Sequence, residues 1–215
     1  MFRFTIAAGL LLSLAGTAQA GVVNIMGDSS TSNENTGASF AGTLEYTATG
    51  GSQGLLSVSI TNTTAGSVGG FLTGFVFDIA SMDSGASATL SSASNNNFKN
   101  TGTENAMPFG VFDAGAAVKA NWQGGGAPNK GLGIGFTGLF EFIVSASDAA
   151  ALTSMDFLGE GTDFAVRFRG LEDGGSDKLL AGEQPPMQVI PLPTGFIAGA
   201  GMLGLCLGVR AIRRR

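Results

Sequence analysis

Histidine is absent from this chain of 215 residues, and cysteine, tryptophan and tyrosine occur once each. Without an imidazole there is no Ser-His-Asp triad, no Cys-His hydrolase and no His-ligated zinc. A lone cysteine, Cys206, excludes an intrachain disulfide framework and a thiolate cluster. Charge is also sparse: Asp, Glu, Lys and Arg make up 13% of the residues, about half the usual share. Proline is scarce at 6 residues, and the 35 glycines follow no collagen period. No repeat of solenoid or propeller length is visible. What is present is a chain rich in glycine and small hydroxyl residues, with 44% apolar residues to build a core. It reads as an all-β extracellular protein.

The first twenty residues have the order of a secretory signal. Arg3 supplies a positive charge, residues 4–15 are apolar, and Ala18-Gln19-Ala20 is a small-x-small cleavage pattern before Gly21. The apolar run is short for a retained membrane anchor. Cleavage by signal peptidase between Ala20 and Gly21 is therefore expected. No cysteine stands after that bond, so a lipoprotein is excluded.

The last residues are organised too. Ile190-Pro191-Leu192-Pro193-Thr194 precedes an uncharged run over 195–209, and Arg210, Arg213, Arg214 and Arg215 close the sequence. As a helix this run of 15 residues would span about 22 Å at its regular rise, against a hydrocarbon core of about 30 Å. The prolines oppose extending a regular helix backwards. The arginines favour the cytoplasmic side. Together these features describe a marginal, transient membrane element, with a permanent tail anchor as the alternative.

In that order the tail resembles the PEP-CTERM class of bacterial sorting signals, in its VPLPA-type variant. The resemblance covers residues 190–215, with Ile190 where the variant usually has valine and Thr194 where it has alanine. It implies export from a Gram-negative, biofilm- or exopolysaccharide-producing bacterium. An exosortase in the inner membrane would recognise the motif and remove the tail. The mature protein would then be at the cell surface or in the extracellular matrix.

Between these ends, residues 21–189 carry six basic side chains against all sixteen acidic ones, a formal charge of −10. Such a surface repels nucleic acid and anionic lipid. Period-2 alternation predicts half-buried strands at 43–49, 56–60, 75–79, 132–144 and 164–168, with a weaker one at 86–92. In the first, Leu44, Tyr46 and Ala48 share one face and Glu45, Thr47 and Thr49 the other. In the fourth, Leu132, Ile134, Phe136, Phe140, Phe142 and Val144 share the inner face. Arg167 and Arg169 on the fifth would guard a sheet edge. A short helix is expected over 148–155, capped by Ser147. Strands separated by Gly, Asn and Ser loops favour an antiparallel β-sandwich or jelly roll.

Apparent chemical motifs mostly dissolve. Gly133-x-Gly135-x-x-Gly138 matches a dinucleotide fingerprint as a string, but residues 139–144 read as strand, not helix. The loop over 124–131 lacks the Lys-Ser/Thr ending of a phosphate loop. Asp173 and Asp177, on a Gly-rich acidic turn, are weak calcium candidates without EF-hand spacing; the alternative is a solvated turn. No cofactor is expected. Trp122, among Asn121, Gln123 and glycines, offers either a sugar-stacking face or an inward core side chain. Asn62-Thr63-Thr64 is a glycosylation sequon without meaning in a bacterial context. The expected function is that of a non-enzymatic exported surface or matrix protein, processed by signal peptidase and an exosortase. The alternative is a carbohydrate-binding or adhesive module acting on exopolysaccharide.

Overall fold

A computed structural model describes residues 21–159 and 163–183. The expectations for Ala18, Ala20, Pro191, Leu192, Pro193, Thr194 and Arg210 to Arg215 lie outside these residues, as does Cys206. All described residues belong to the first of two units, Met1–Gln184 and Pro185–Arg215.

The described chain is all-β and antiparallel. Its strands are β1 (Val22–Gly27), β2 (Phe40–Gly50), β3 (Gln53–Asn62), β4 (Gly69–Phe77), β5 (Ser87–Ala93), β6 (Phe98–Asn100) and β7 (Glu104–Asn105). They continue with β8 (Val111–Phe112), β9 (Ala114–Val118), β10 (Thr137–Ser145), β11 (Phe164–Leu171), β12 (Ser176–Leu180) and β13 (Gly182–Glu183). One sheet, A, runs β13-β1-β2-β3-β10-β5; a second, B, runs β12-β11-β4-β9-β6; β7 and β8 form a small ribbon. A and B share one core, making a sandwich-like fold. Leu44, Leu56, Val58 and Ile60 of A meet Phe75, Phe77, Phe164 and Phe168 of B. Phe75 and Phe77 place their rings edge-on to Phe140 and Phe142 across the two sheets, with centroids 4.8 and 5.0 Å apart. Such pairs contribute about 1 kcal/mol each beyond the area they bury.

Sheet A follows the alternation expected of it. Along β3, Leu56, Val58 and Ile60 are buried while Ser57, Ser59 and Thr61 are partly exposed. The central strands of sheet B do not alternate: β4 is buried throughout from Leu72 to Phe77 and β9 at every position. The outward residues of the sheet are covered by the long excursion between β6 and β10. Val76 and Ala165 pack there against Ala106, Phe112 and Trp122 in a second core. One sheet of the pair is therefore covered on both faces, and the other presents an open outer face.

Three expectations are corrected. The alternating stretch over 132–144 is not one strand. Leu132 bridges Leu72 beside sheet B, residues 133–136 turn, with Phe136 N–H donating to Gly133 O at 3.1 Å, and β10 begins at Thr137 in sheet A. The chain changes sheets at this turn, where Gly135 takes φ +77°. Ile134 and Phe136 are consequently exposed. The helix over 148–155 is replaced by turns and a short 3-10 helix, Ser154–Phe157. Ser147, expected as its cap, donates its backbone N–H to Asp83 Oδ2 at 2.7 Å. Asp148 accepts from the Ser81 hydroxyl and from the Met82 N–H. Those cross-chain bonds outweigh a single helical turn, whose nucleation is costly. Finally, β11 lies between β12 and β4, so Arg167 and Arg169 guard no edge.

Burial, the nearby Asp113 carboxylate and Asp163 push the Asp78 carboxyl up to about 6, despite the Asp113 N–H that it accepts. A carboxyl that binds its proton more tightly when folded contributes stability below its unfolded pKa of about 3.9 and loses it as pH rises through the folded value. Asp78→Asn should therefore raise the melting temperature at pH 7–8 and change little near pH 4. In a dry site that rise would be worth about 3 kcal/mol; Asp78 is partly solvated, and about 1 kcal/mol is expected after screening. Thermal melts of both proteins across that range check the crossover.

Candidate functional site

The open outer face of sheet A carries a set of polar side chains without structural partners among the described residues. Register aligns its outward residues in rows. Glu45 of β2 pairs with Ser57 of β3, Ser57 with Glu141 of β10, and Glu141 with Ser92 of β5. The next row holds Thr43, Ser59 and Leu139. Beyond it, Thr61 and Thr137 join hydroxyls at 2.6 Å. A β-bulge in the β10–β5 pairing at Glu141/Phe142 leaves Ser91 extra, and its hydroxyl donates to Glu141 O at 3.0 Å. The first two rows line a shallow hollow of about 450 Å³. Neighbouring strands lie about 4.8 Å apart, so the backbones of Glu45 and Glu141 are about 10 Å apart. Neither carboxylate has a hydrogen-bond or ion-pair partner among the described residues.

A second hollow of about 480 Å³ adjoins the first, sharing Ser94, and holds Asn95, Asn129, Phe71 and Phe136. Phe136 is 69% exposed at the turn between the sheets. Gly133 separates it from half-buried Phe71: a Cβ at Gly133 would sit 3.5 Å from one ring and 3.7 Å from the other. Asn62 holds this turn in place. Its side-chain amide donates to Leu132 O at 3.0 Å and to Gly70 O at 3.3 Å. Its backbone exchanges bonds with Gly135 and Phe136. The asparagine of the sequon is thus fully buried and spent on structure. No lysine or arginine lines either hollow.

The other residues singled out from sequence fall elsewhere. Trp122 is 1% exposed, so its indole offers no stacking face and the inward alternative is the one realised. It plugs the second core over sheet B, because Arg167 draws the loop down by donating from Nη1 to Trp122 O at 2.9 Å. Burial, with Arg169 nearby, holds the Arg167 guanidinium below its usual pKa. Arg169 donates to Gly126 O at 3.1 Å and more weakly to Gly125 O. Carbonyls of that glycine loop thus face a cation, the reverse of a phosphate cradle. Gly133 and Gly135 lead into strand β10, which contains Gly138, rather than into a helix.

Asp173 and Asp177 do not act together. Asp173 Oδ1 accepts only from Gly175 N–H, at 2.7 Å, within its own turn. Asp177 is buried, and its oxygens accept from the Ser32 and Thr36 hydroxyls at 2.6 Å each and from the Glu34, Thr36 and Lys178 N–H groups. Burial alone would push the Asp177 carboxyl up, but those donors outweigh it and hold it below the ordinary carboxylate value. Among the described residues no three acidic side chains converge to hold a metal ion.

Sequence reasoning placed Glu45 outward but singled out none of Glu45, Glu141 and Phe136. The available signal was the parity of the alternation, which puts both glutamates on the polar face. For Phe136 parity pointed inward, and only the turn at 133–136 reverses it. Among the described residues no helix is long and apolar enough to cross a membrane. Comparison with known protein families and with curated proteins finds no match to this chain.

Proposed function

We propose that this chain is a non-enzymatic surface or matrix protein, exported through an N-terminal signal and processed at its C-terminal tail by an exosortase. The observation that carries the reading is the order of the last 26 residues: Pro191-Leu192-Pro193-Thr194, an uncharged run, then the arginine cluster. The resemblance of this tail to PEP-CTERM sorting signals names the enzyme class. At the other end, β1 starts at Val22, one residue after the expected cleavage bond before Gly21. The domain between is built around one continuous aromatic and aliphatic core. The inner membrane is then a transient partner, and the surface or extracellular matrix the destination.

In a strain lacking its exosortase, the protein should accumulate in the membrane fraction with the tail attached. Pro191→Ala combined with Pro193→Ala should cause the same retention in an otherwise normal strain. Intact-mass measurement reads both ends at once. Wild-type protein found in membranes with Arg215 still present would make it a tail-anchored surface protein, and the sorting reading would be wrong.

A second reading, that the domain binds carbohydrate, is favoured by the open face of sheet A. Hydroxyls and free carboxylates on that face adjoin a hollow lined by an exposed aromatic ring, a combination that suits polyhydroxylated ligands with apolar ring faces.

A further inference from the structure

Resting on the carbohydrate reading, we infer that the open face of sheet A and the hollow adjoining it bind an uncharged polysaccharide chain, with Phe136 and Phe71 of that hollow as its stacking end and Glu45 and Glu141 of the sheet as hydrogen-bond acceptors. Three observations converge on that ligand.

The first is charge. Glu45 and Glu141 flank Ser57 from either side on adjacent strands, and no basic side chain lines the two hollows. An anionic polymer laid across this row would meet two uncompensated carboxylates on a domain of formal charge −10, at a like-charge cost. A second copy of the chain docking face to face would set glutamates against glutamates. An uncharged glycan meets no such penalty, and its many O–H groups are donors for unspent carboxylates. Hydrogen bonds to charged acceptors are about twice as strong as neutral ones.

The second is the distribution of apolar surface. Leu139 is 58% exposed amid hydroxyls, and Phe136 and Phe71 line the adjoining hollow on either side of Gly133. A sugar ring carries C–H groups on its faces and O–H groups on its rim. The groove offers matching apolar platforms between polar rows.

The third is that the site is built rather than incidental. Buried Asn62 ties the Phe136 turn to Leu132 and Gly70 through its side chain, and the backbone bonds Gly135 N–H to Asn62 O at 2.8 Å and Asn62 N–H to Phe136 O at 3.2 Å complete the clamp. An exposed phenylalanine held on a braced turn is already ordered, so less conformational entropy is lost when a ligand covers it.

The test is affinity electrophoresis of the full chain in mild detergent, in gels containing dextran, galactomannan, mixed-linkage β-glucan or alginate. At least one of the neutral polymers should retard the protein, and alginate should not. Phe136→Ala should weaken that retardation about tenfold. Because the ring is exposed, its melting temperature should be unchanged. Glu141→Gln should weaken binding about threefold. If no polymer, neutral or anionic, retards the wild type, the carbohydrate reading itself is overturned. If a neutral polymer binds but Phe136→Ala and Glu141→Gln bind equally well, the reading stands and this face is the wrong site. Retardation by alginate alone overturns the inference that the ligand is uncharged.

Discussion

Trp122→Ala should cost the domain about 3–5 kcal/mol, the range for deleting a fully buried large aromatic side chain. The indole is the largest fully buried side chain of the domain. It seals Val76 and Ala165 of sheet B under the excursion that carries Ala106 and Phe112. Truncation would leave a cavity between a sheet and a loop, where collapse is limited because Arg167 and Arg169 pin the loop at Trp122, Gly125 and Gly126. Trp122→Phe should lose much less. It keeps an aromatic plug, and the indole Nε1 is buried without a hydrogen-bond partner among the described residues, so no bond is sacrificed. Denaturant unfolding tracked by circular dichroism checks both, since the alanine variant has no tryptophan signal. In the wild type, Trp122 emission should be blue-shifted, shielded from a soluble quencher, and unmoved by any polysaccharide that binds sheet A. A quenchable, red-shifted tryptophan would refute the buried plug.

Asp177→Ala should cost about 3 kcal/mol or more. The carboxylate is 1% exposed, and its removal strands two hydroxyls and three backbone N–H groups. Leaving buried donors unsatisfied costs about 1–3 kcal/mol each when no water reaches them, and partial rehydration of the loop lowers that sum. The bonds matter because they tie the β1–β2 connection to sheet B. Ser32 bridges Leu179, and Asn33 N–H donates to Lys178 O at 2.9 Å. The connection thereby covers the exposed edge of β12, an edge that would otherwise invite pairing with another chain. The variant should lose protease resistance around residues 28–38 and aggregate more readily. The sign with pH is set by the lowered carboxyl. A group held below its ordinary value contributes stability above its unfolded pKa and loses it as pH falls through the folded one. The deficit of Asp177→Ala should therefore be largest at neutral pH and shrink in acid. Asp173→Ala, at an exposed position with a single local bond, should be nearly neutral. Added calcium or chelator should leave the melting temperature where it was, because the lone pairs of Asp177 are already engaged. A rise of several degrees with calcium would return the two aspartates to a shared metal site.

The parts of the fold legible in the sequence are those with one wet face. In β2 and β3 the inner residues Leu44, Tyr46, Leu56, Val58 and Ile60 alternate with Glu45, Thr47, Ser57 and Ser59, because sheet A is solvated outside and packed inside. β9, with the sequence AGAAV, is buried at every position and left no period to read. β6, β7 and β8, of three, two and two residues, are too short for one to develop. β12 carries its buried aspartate where a strand pattern would require an apolar residue.

The absence of histidine, the single cysteine, the acidic balance and the alternating runs were enough to establish an all-β chain and to exclude imidazole and thiolate-cluster chemistry. They also placed Glu45 on a polar face. Those properties depend on composition and on a two-residue period, both carried by neighbouring positions. The fate of Trp122, the partners of Asp177 and the exposure of Phe136 were decided by the tertiary structure alone. Ser32 and Asp177 are 145 residues apart in sequence, and Arg167 and Trp122 are 45 apart. Phe136 shares the parity of the core residues Phe140 and Phe142, yet it points to water because the backbone leaves one sheet for the other at Gly135. Side-chain parity is a local property of an extended backbone; which sheet that backbone joins is determined by hydrogen-bond partners far away in the chain.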